Sequence, residues 1–322
     1  MKAIVLLNGT AGRLAIPNHQ RDSPVKEALA AAGIVAEVRT VTGDNLHAEA
    51  SLALQSKIDV LIVGGGDGTL STVAGILAGQ PIPLGILPLG TLNHFAKDLG
   101  IPLDLAAAVK VIAGHHVIKV DVGELNGRVF INNSSLGIYP YMVLDRESQR
   151  KRHGFSKWKA MLFAMFKIFR RFPLVEVKLS TDTASTTRKT PLVFVGNNRY
   201  HLDLFNLGKR AALDQGELSL YVAHAQTRWA TIKLFVRAMC GRLQQARDFE
   251  TLSLTHCTID ARRRHMHVAA DGEVMRLAVP LRYSVRPGAL RVCVPQLSDK
   301  SASHPRLGAD EVPATKHSGQ KS

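Results

Sequence analysis

The sequence predicts an α/β domain built on a doubly wound parallel sheet, followed by an antiparallel β-rich domain. Three observations carry this. Strand and helix signals alternate through roughly the first 120 residues, short β-branched runs replace them afterwards, and 322 residues are about twice a common domain length. Composition agrees with two packed cores. Hydrophobic residues are 46% and charged residues 21%, and 26 Gly with 14 Pro are far from collagen-like or low-complexity values.

Taken in order, residues 3–7 are a continuous apolar run ending at Asn8, Gly9 and Gly12, and residues 25–32 read as a helix stopped by Gly33. Residues 35–41 alternate as a strand. Residues 48–55 are helical, 60–63 form a short buried strand, and 70–77 form a helix opened by a glycine-rich turn. A strand at 85–87 precedes a helix at 92–99, closed by Gly100 with Pro102 behind it, and a helix at 105–113 closed by Gly114. This alternation covers a parallel sheet on both faces.

After Val117, strands are expected at 117–122, 129–132, 174–179, 192–195, 218–222, 252–259 and 276–280, with helices at 155–171 and 229–241. The expected division is 1–124 for the α/β domain and 125–297 for the β-rich domain. The tail, 298–322, is too poor in large apolar side chains to stay ordered.

Cys240, Cys257 and Cys293 fit neither a metal knuckle nor a disulfide framework, which points to a reducing, cytoplasmic setting. The N-terminal apolar run is too short for a secretory signal. Residues 68–96 carry no formal charge, but Pro81, Pro83 and Pro88 would break a membrane-spanning helix there.

The formal charge of +15 favours an anionic partner. Residues 141–172 hold nine basic side chains against Asp145 and Glu147, a net +7. Within it, aromatic and aliphatic residues from Phe155 to Phe172 recur at helical spacing among Lys157, Lys159, Lys167, Arg170 and Arg171. A basic amphipathic helix of this kind suits an anionic membrane surface; packing on the second domain with a solvated basic rim is the plainer reading. No nucleic-acid module is present, so nucleic acid is not an expected partner.

Two segments carry chemistry. In the first, Gly64-Gly65-Gly66-Asp67-Gly68-Thr69 follows an apolar strand and opens a helix, so backbone amides and the helix N-terminus can approach a phosphate. A plain turn needs no carboxylate, and Asp67 beside phosphates suits magnesium or a transferring proton. In the second, Pro88-Leu89-Gly90-Thr91-Leu92-Asn93-His94 repeats the pattern of strand, turn and helix. Alone it reads as capping by Thr91 and Asn93. Beside the first loop, it falls where open α/β sheets bind ligands.

These segments, with residues 8–13 upstream and Ala270-Asp271-Gly272-Glu273 far downstream, resemble the diacylglycerol kinase catalytic-domain family, which includes bacterial lipid kinases and sphingosine kinases. The likeness spans residues 2–295 in matching order. It implies a Rossmann-like nucleotide-binding domain and a β-sandwich that holds the lipid, with ATP between them and Mg2+ as cofactor. By position it implies that Asn8, Gly12, Arg13, Gly65, Gly66, Asp67, Gly68, Thr69, Leu70, Ser71, Thr91 and Asn93 line the nucleotide, with Thr40 less securely aligned. Glu273 matches the general base, with Asp271 beside it and Asp67 completing the catalytic set. Many members have Asp where this chain has His94, which leaves Asp67 and Asp121 as the expected metal ligands. Gln215 stands where a second, structural metal site has Asp.

The implied partners are a lipid substrate and an anionic membrane surface bound peripherally, with a homodimer left open. Two other readings fit the same residues: an NAD-kinase-like enzyme with a soluble acceptor, and a lipid or nucleotide sensor without catalysis.

Overall fold

The computed structural model describes residues 1–9, 18–140, 174–180, 185–203, 206–210, 212–225, 227–239 and 245–296. Gly12, Arg13, Cys240, the expected helix at 155–171 and the tail at 298–322 lie outside these residues.

The first half is the expected α/β unit. Strands β1 (Lys2–Asn8), β2 (Val35–Val41), β3 (Val60–Gly65) and β4 (Leu84–Pro88) are parallel in the order β2-β1-β3-β4. Their connections are the helices α1 (Asn18–Ala31), α2 (Leu46–Leu54) and α3 (Asp67–Leu77), and α4 (His94–Asp98) and α5 (Leu105–Ala113) follow β4. Every residue of β3 and β4 is buried, which is why these strands read as continuous apolar runs rather than alternating ones.

The second half is a sandwich. A six-stranded sheet contains β7 (Asn133–Gly137), β10 (Leu192–Asn197), β13 (Leu218–Ala223), β14 (Phe249–Leu254), β16 (His265–Ala270) and β17 (Glu273–Ala278), in the order β14-β13-β10-β7-β16-β17. It faces β5 (Val117–Leu125), β6 (Arg128–Phe130), β8 (Val175–Ser180), β9 (Ser185–Thr190), β15 (His256–Ala261) and β18 (Leu281–Cys293). Side chains of both sheets, among them Leu136, Val195, Leu220, Val268, Leu179, Ile259 and Tyr283, interlock in one core. A short ribbon, β11 (Tyr200–Asp203) with β12 (Asn206–Arg210), stands beside them.

The two halves share a sheet. β18 pairs β15 in the sandwich, then shifts register between Arg286 and Leu290 and lies parallel to β4 at Val292. Leu290, Val292, Cys293 and Val294 are therefore buried in the core of the first half. Ten strands form one continuous sheet, so the boundary expected at 124/125 is crossed again by the last strand. Among the described residues, no helix is long and apolar enough to cross a membrane.

Candidate active site

The two glycine loops meet at the C-terminal ends of β3 and β4, where Gly65 and Pro88 are register partners. A Cβ on Gly65 would stand 2.6 Å from Thr69, and one on Gly90 would stand 2.3 Å from the Gly66 Cα. Only glycine at position 90 allows that approach of backbone to backbone, and Gly65 leaves room for the Thr69 side chain. Asn93 holds the second loop in shape from a left-handed conformation (φ 52), donating from Nδ2 to the carbonyls of Pro88 (3.1 Å) and Gly90 (2.9 Å). It is fully buried, so it braces the loop from beneath.

Asp67 staples the loops together. Its carboxylate accepts the backbone N–H groups of His94 (3.2 Å) and Phe95 (3.0 Å), the first residues of α4. Asn8, at the end of β1, donates from Nδ2 to Thr69 Oγ1 at 2.8 Å. Thr69 is thereby occupied under the loop. Thr40 is exposed at the end of β2, in one register row with Leu7, Gly64 and Leu87. Thr91 is exposed at the second loop. Leu70 corrects the expectation for the nucleotide-lining set: its side chain is fully buried in the core, and its backbone N–H is spent on the Gly66 carbonyl.

The distant turn reaches the same place. Ala270 and Glu273 are register partners, and Asp271 (φ 46) and Gly272 (φ 86) form the two-residue link between β16 and β17. Positive φ at both positions is what an Asp-Gly hairpin turn supplies. The Asp271 carboxylate accepts the backbone N–H groups of Ile131 (2.7 Å), Asn132 (2.8 Å) and Asn133 (3.1 Å). Burial pushes this carboxyl above its ordinary value while those bonds pull it down. Asp271, expected as a catalytic partner of Glu273, anchors the turn through these three backbone bonds.

Glu273 is exposed as the first residue of β17. It stands against the first loop: a Cβ on Gly68 would lie 3.4 Å from Glu273 Oε1.

Asp121, the other expected metal ligand, binds two backbone amides. It is buried, and its two oxygens accept the N–H groups of Gly216 (2.7 Å) and Gly288 (2.8 Å), fixing the loop before β13 and the irregularity in β18. Gln215 directs its backbone N–H to Asn198 Oδ1 at 3.1 Å. Among the described residues, no three His, Cys, Asp or Glu side chains cluster to hold a metal ion.

The structure adds a pair that the sequence did not suggest. Arg210, ending β12, donates from Nε to Asp98 Oδ2 at 2.8 Å, with its own side chain fully buried. Its partners are 112 residues apart in sequence, so no local pattern marks them.

Fold and site together define a two-domain protein in which paired glycine loops of an α/β unit face a carboxylate from a β-sandwich. Residues 2–125 match the diacylglycerol kinase catalytic domain, and residues 144–294 match the YegS C-terminal NAD kinase beta sandwich-like domain. The diacylglycerol kinase of Staphylococcus epidermidis (strain RP62A) is 30% identical over 223 residues, covering 69% of this chain and 70% of its own. That of Staphylococcus haemolyticus is 32% identical over 176 residues, 54% of this chain and 53% of its own. A crystal structure of a Bacillus anthracis diacylglycerol kinase shares the fold, with a TM-score of 0.65 and 22% identity over 91% of this chain and 97% of the other. The chain belongs to the diacylglycerol kinase family.

Proposed function

We propose that the protein transfers the γ-phosphoryl group of ATP to the hydroxyl of a lipid, a diacylglycerol or a sphingoid base. The observation that carries this reading is the contact distance between Gly68 and Glu273, which sets an exposed carboxylate from the second domain against the first glycine loop. The names of the relatives support the same reaction.

The roles follow from chemistry. Amides of residues 65–68 offer hydrogen bonds to phosphate oxygens, and the N-terminus of α3 adds positive potential. Glu273 accepts the proton of the lipid hydroxyl as that oxygen attacks phosphorus. Asp67 keeps the second loop against the first, so the phosphates meet one rigid surface.

The donor set fits magnesium only in part. Without a cluster of three acidic or imidazole side chains among the described residues, an ion here would need phosphate oxygens and water for most of its ligands, as magnesium commonly does. Asp67 would hold it, and the ion would supply neutralisation of the charge on the transferring group. The free thiols of Cys257 and Cys293 suit a cytoplasmic enzyme that works at the inner membrane surface, where a lipid acceptor resides.

The test uses purified protein, γ-labelled ATP and magnesium, with vesicles containing diacylglycerol, vesicles containing sphingosine, or NAD in solution. Label is expected in one of the lipids. Label in NAD overturns the lipid reading, and nucleotide binding without a labelled product in any arm overturns the kinase reading.

A further inference from the structure

We propose that Arg210 is a positioning residue that fixes the Asp271–Glu273 turn relative to the second glycine loop, so that one buried guanidinium sets the distance across the site. This rests on the kinase reading for its catalytic consequence.

The guanidinium touches both sides. Toward the α/β unit it donates to Asp98 at 2.8 Å and lies over the Phe95 ring, 5.8 Å from the centroid. Phe95 is the residue whose backbone N–H binds Asp67. Toward the sandwich it donates from Nη1 to the Ile131 carbonyl at 2.6 Å and from Nη2 to Asn132 Oδ1 at 3.0 Å. Ile131 and Asn132 are residues whose N–H groups hold the Asp271 carboxylate. Each flank of Arg210 is thus one residue from a group that shapes the site.

The links form one continuous chain. It runs from Asp67 through α4 to Asp98, across Arg210 to residues 131 and 132, and on to Asp271. A chain of this kind resists relative movement of the two sides it joins, because breaking it at buried Arg210 leaves polar groups on both sides without a partner. Arg210 also donates to the Asn197 carbonyl at 3.3 Å and stacks over Tyr200 at 5.5 Å, which locks the fork in plane. Lysine brings the charge without the planar fork and cannot reach all these acceptors. Fully buried, Arg210 touches neither phosphate nor acceptor, and acts through the backbone it clamps.

The experiment compares wild type, Arg210→Lys and Asp98→Asn by thermal melting, nucleotide binding, turnover with lipid vesicles and amide hydrogen exchange. In each folded variant, kcat is expected to fall more than tenfold while the ATP dissociation constant moves less than threefold. Exchange is expected to accelerate in peptides covering both 94–98 and 131–133, and not in β1. Unchanged kcat, unchanged exchange at either peptide, or uniform acceleration that reports general loosening overturns the proposal. A wild type with no lipid product overturns the kinase reading alone, and the exchange arms then decide the role of Arg210. If Arg210→Lys does not fold, Asp98→Asn supplies the same readouts.

Discussion

Gly90 rests its backbone directly on Gly66, with the space that a Cβ on Gly90 needs already filled by the Gly66 Cα 2.3 Å away. Neither side of this contact is a flexible side chain, so Gly90→Ala must push the two loops apart. Overpacking of this kind costs about 1–3 kcal/mol. Gly90→Ala is expected to lower the unfolding free energy by that amount, read as a lower urea midpoint, and to weaken ATP binding. Gly68→Ala meets only the end of Glu273, at 3.4 Å. It is expected to keep wild-type stability while impairing turnover, measured by urea titration and a phosphoryl-transfer assay. Wild-type nucleotide affinity in Gly90→Ala would show that the contact does not shape the site.

Asp67→Asn tests the staple between the loops. The amide keeps one acceptor but loses the charge and places an NH2 group toward either His94 or Phe95, both of which donate to Asp67. Loss of a preorganised charged group at a transferring centre is worth roughly a hundredfold in kcat. That loss is expected in a chain that still melts cooperatively, and turnover within a few fold of wild type would remove Asp67 from the reaction.

Asp271→Ala leaves three backbone N–H groups without their acceptor. Each buried unsatisfied donor costs about 1–3 kcal/mol, so destabilisation of about 3 kcal/mol or more is expected by chemical unfolding. The effect on stability exceeds that of Glu273→Gln, which is exposed. Equal stability of the two variants would contradict the anchor role.

Cys257 and Cys293 are buried, and burial pushes their thiols from 9.0 up to about 12 and about 11. Both should resist alkylation at pH 8 in the native protein and react on denaturation. The sign of the pH effect follows from linkage. The unfolded thiols ionise from about pH 9 and the folded ones only near 11 to 12, so stability is full below pH 9 and falls above it. Mass spectrometry of alkylated peptides and melting curves from pH 7 to 10 check both points. Rapid native labelling of either residue contradicts the burial.

Legibility in the sequence followed local chemistry. The first glycine loop was readable because apolar β3 runs straight into it, and the Asp-Gly turn because both residues suit positive φ. The longest strand, β18, was missed. Arg282, Arg286 and Arg291 interrupt its apolar pattern, and Pro287-Gly288 reads as a turn but is absorbed by the register shift between Arg286 and Leu290. β7 was missed because Asn133, Ser134 and Ser135 look like a loop. Inside the sheet, Ser134 is hydrogen-bonded to the Tyr283 hydroxyl at 3.0 Å. The run expected at 252–259 divides at Thr255 into β14 and β15, which belong to different sheets. Asp271 and Asp121 were singled out as carboxylates, yet only the fold shows that backbone amides occupy them. The chain of bonds through Arg210 joins residues 78 to 112 positions apart and leaves no local trace.

The most direct measurement is single-turnover transfer of labelled γ-phosphate to lipid by wild type and Glu273→Gln, with nucleotide binding followed in parallel. Loss of a general base costs typically 10²–10⁴-fold. A rate loss in that range with ATP affinity unchanged is expected, and a Glu273→Gln enzyme that transfers phosphate at the wild-type rate would contradict the role of Glu273 as general base.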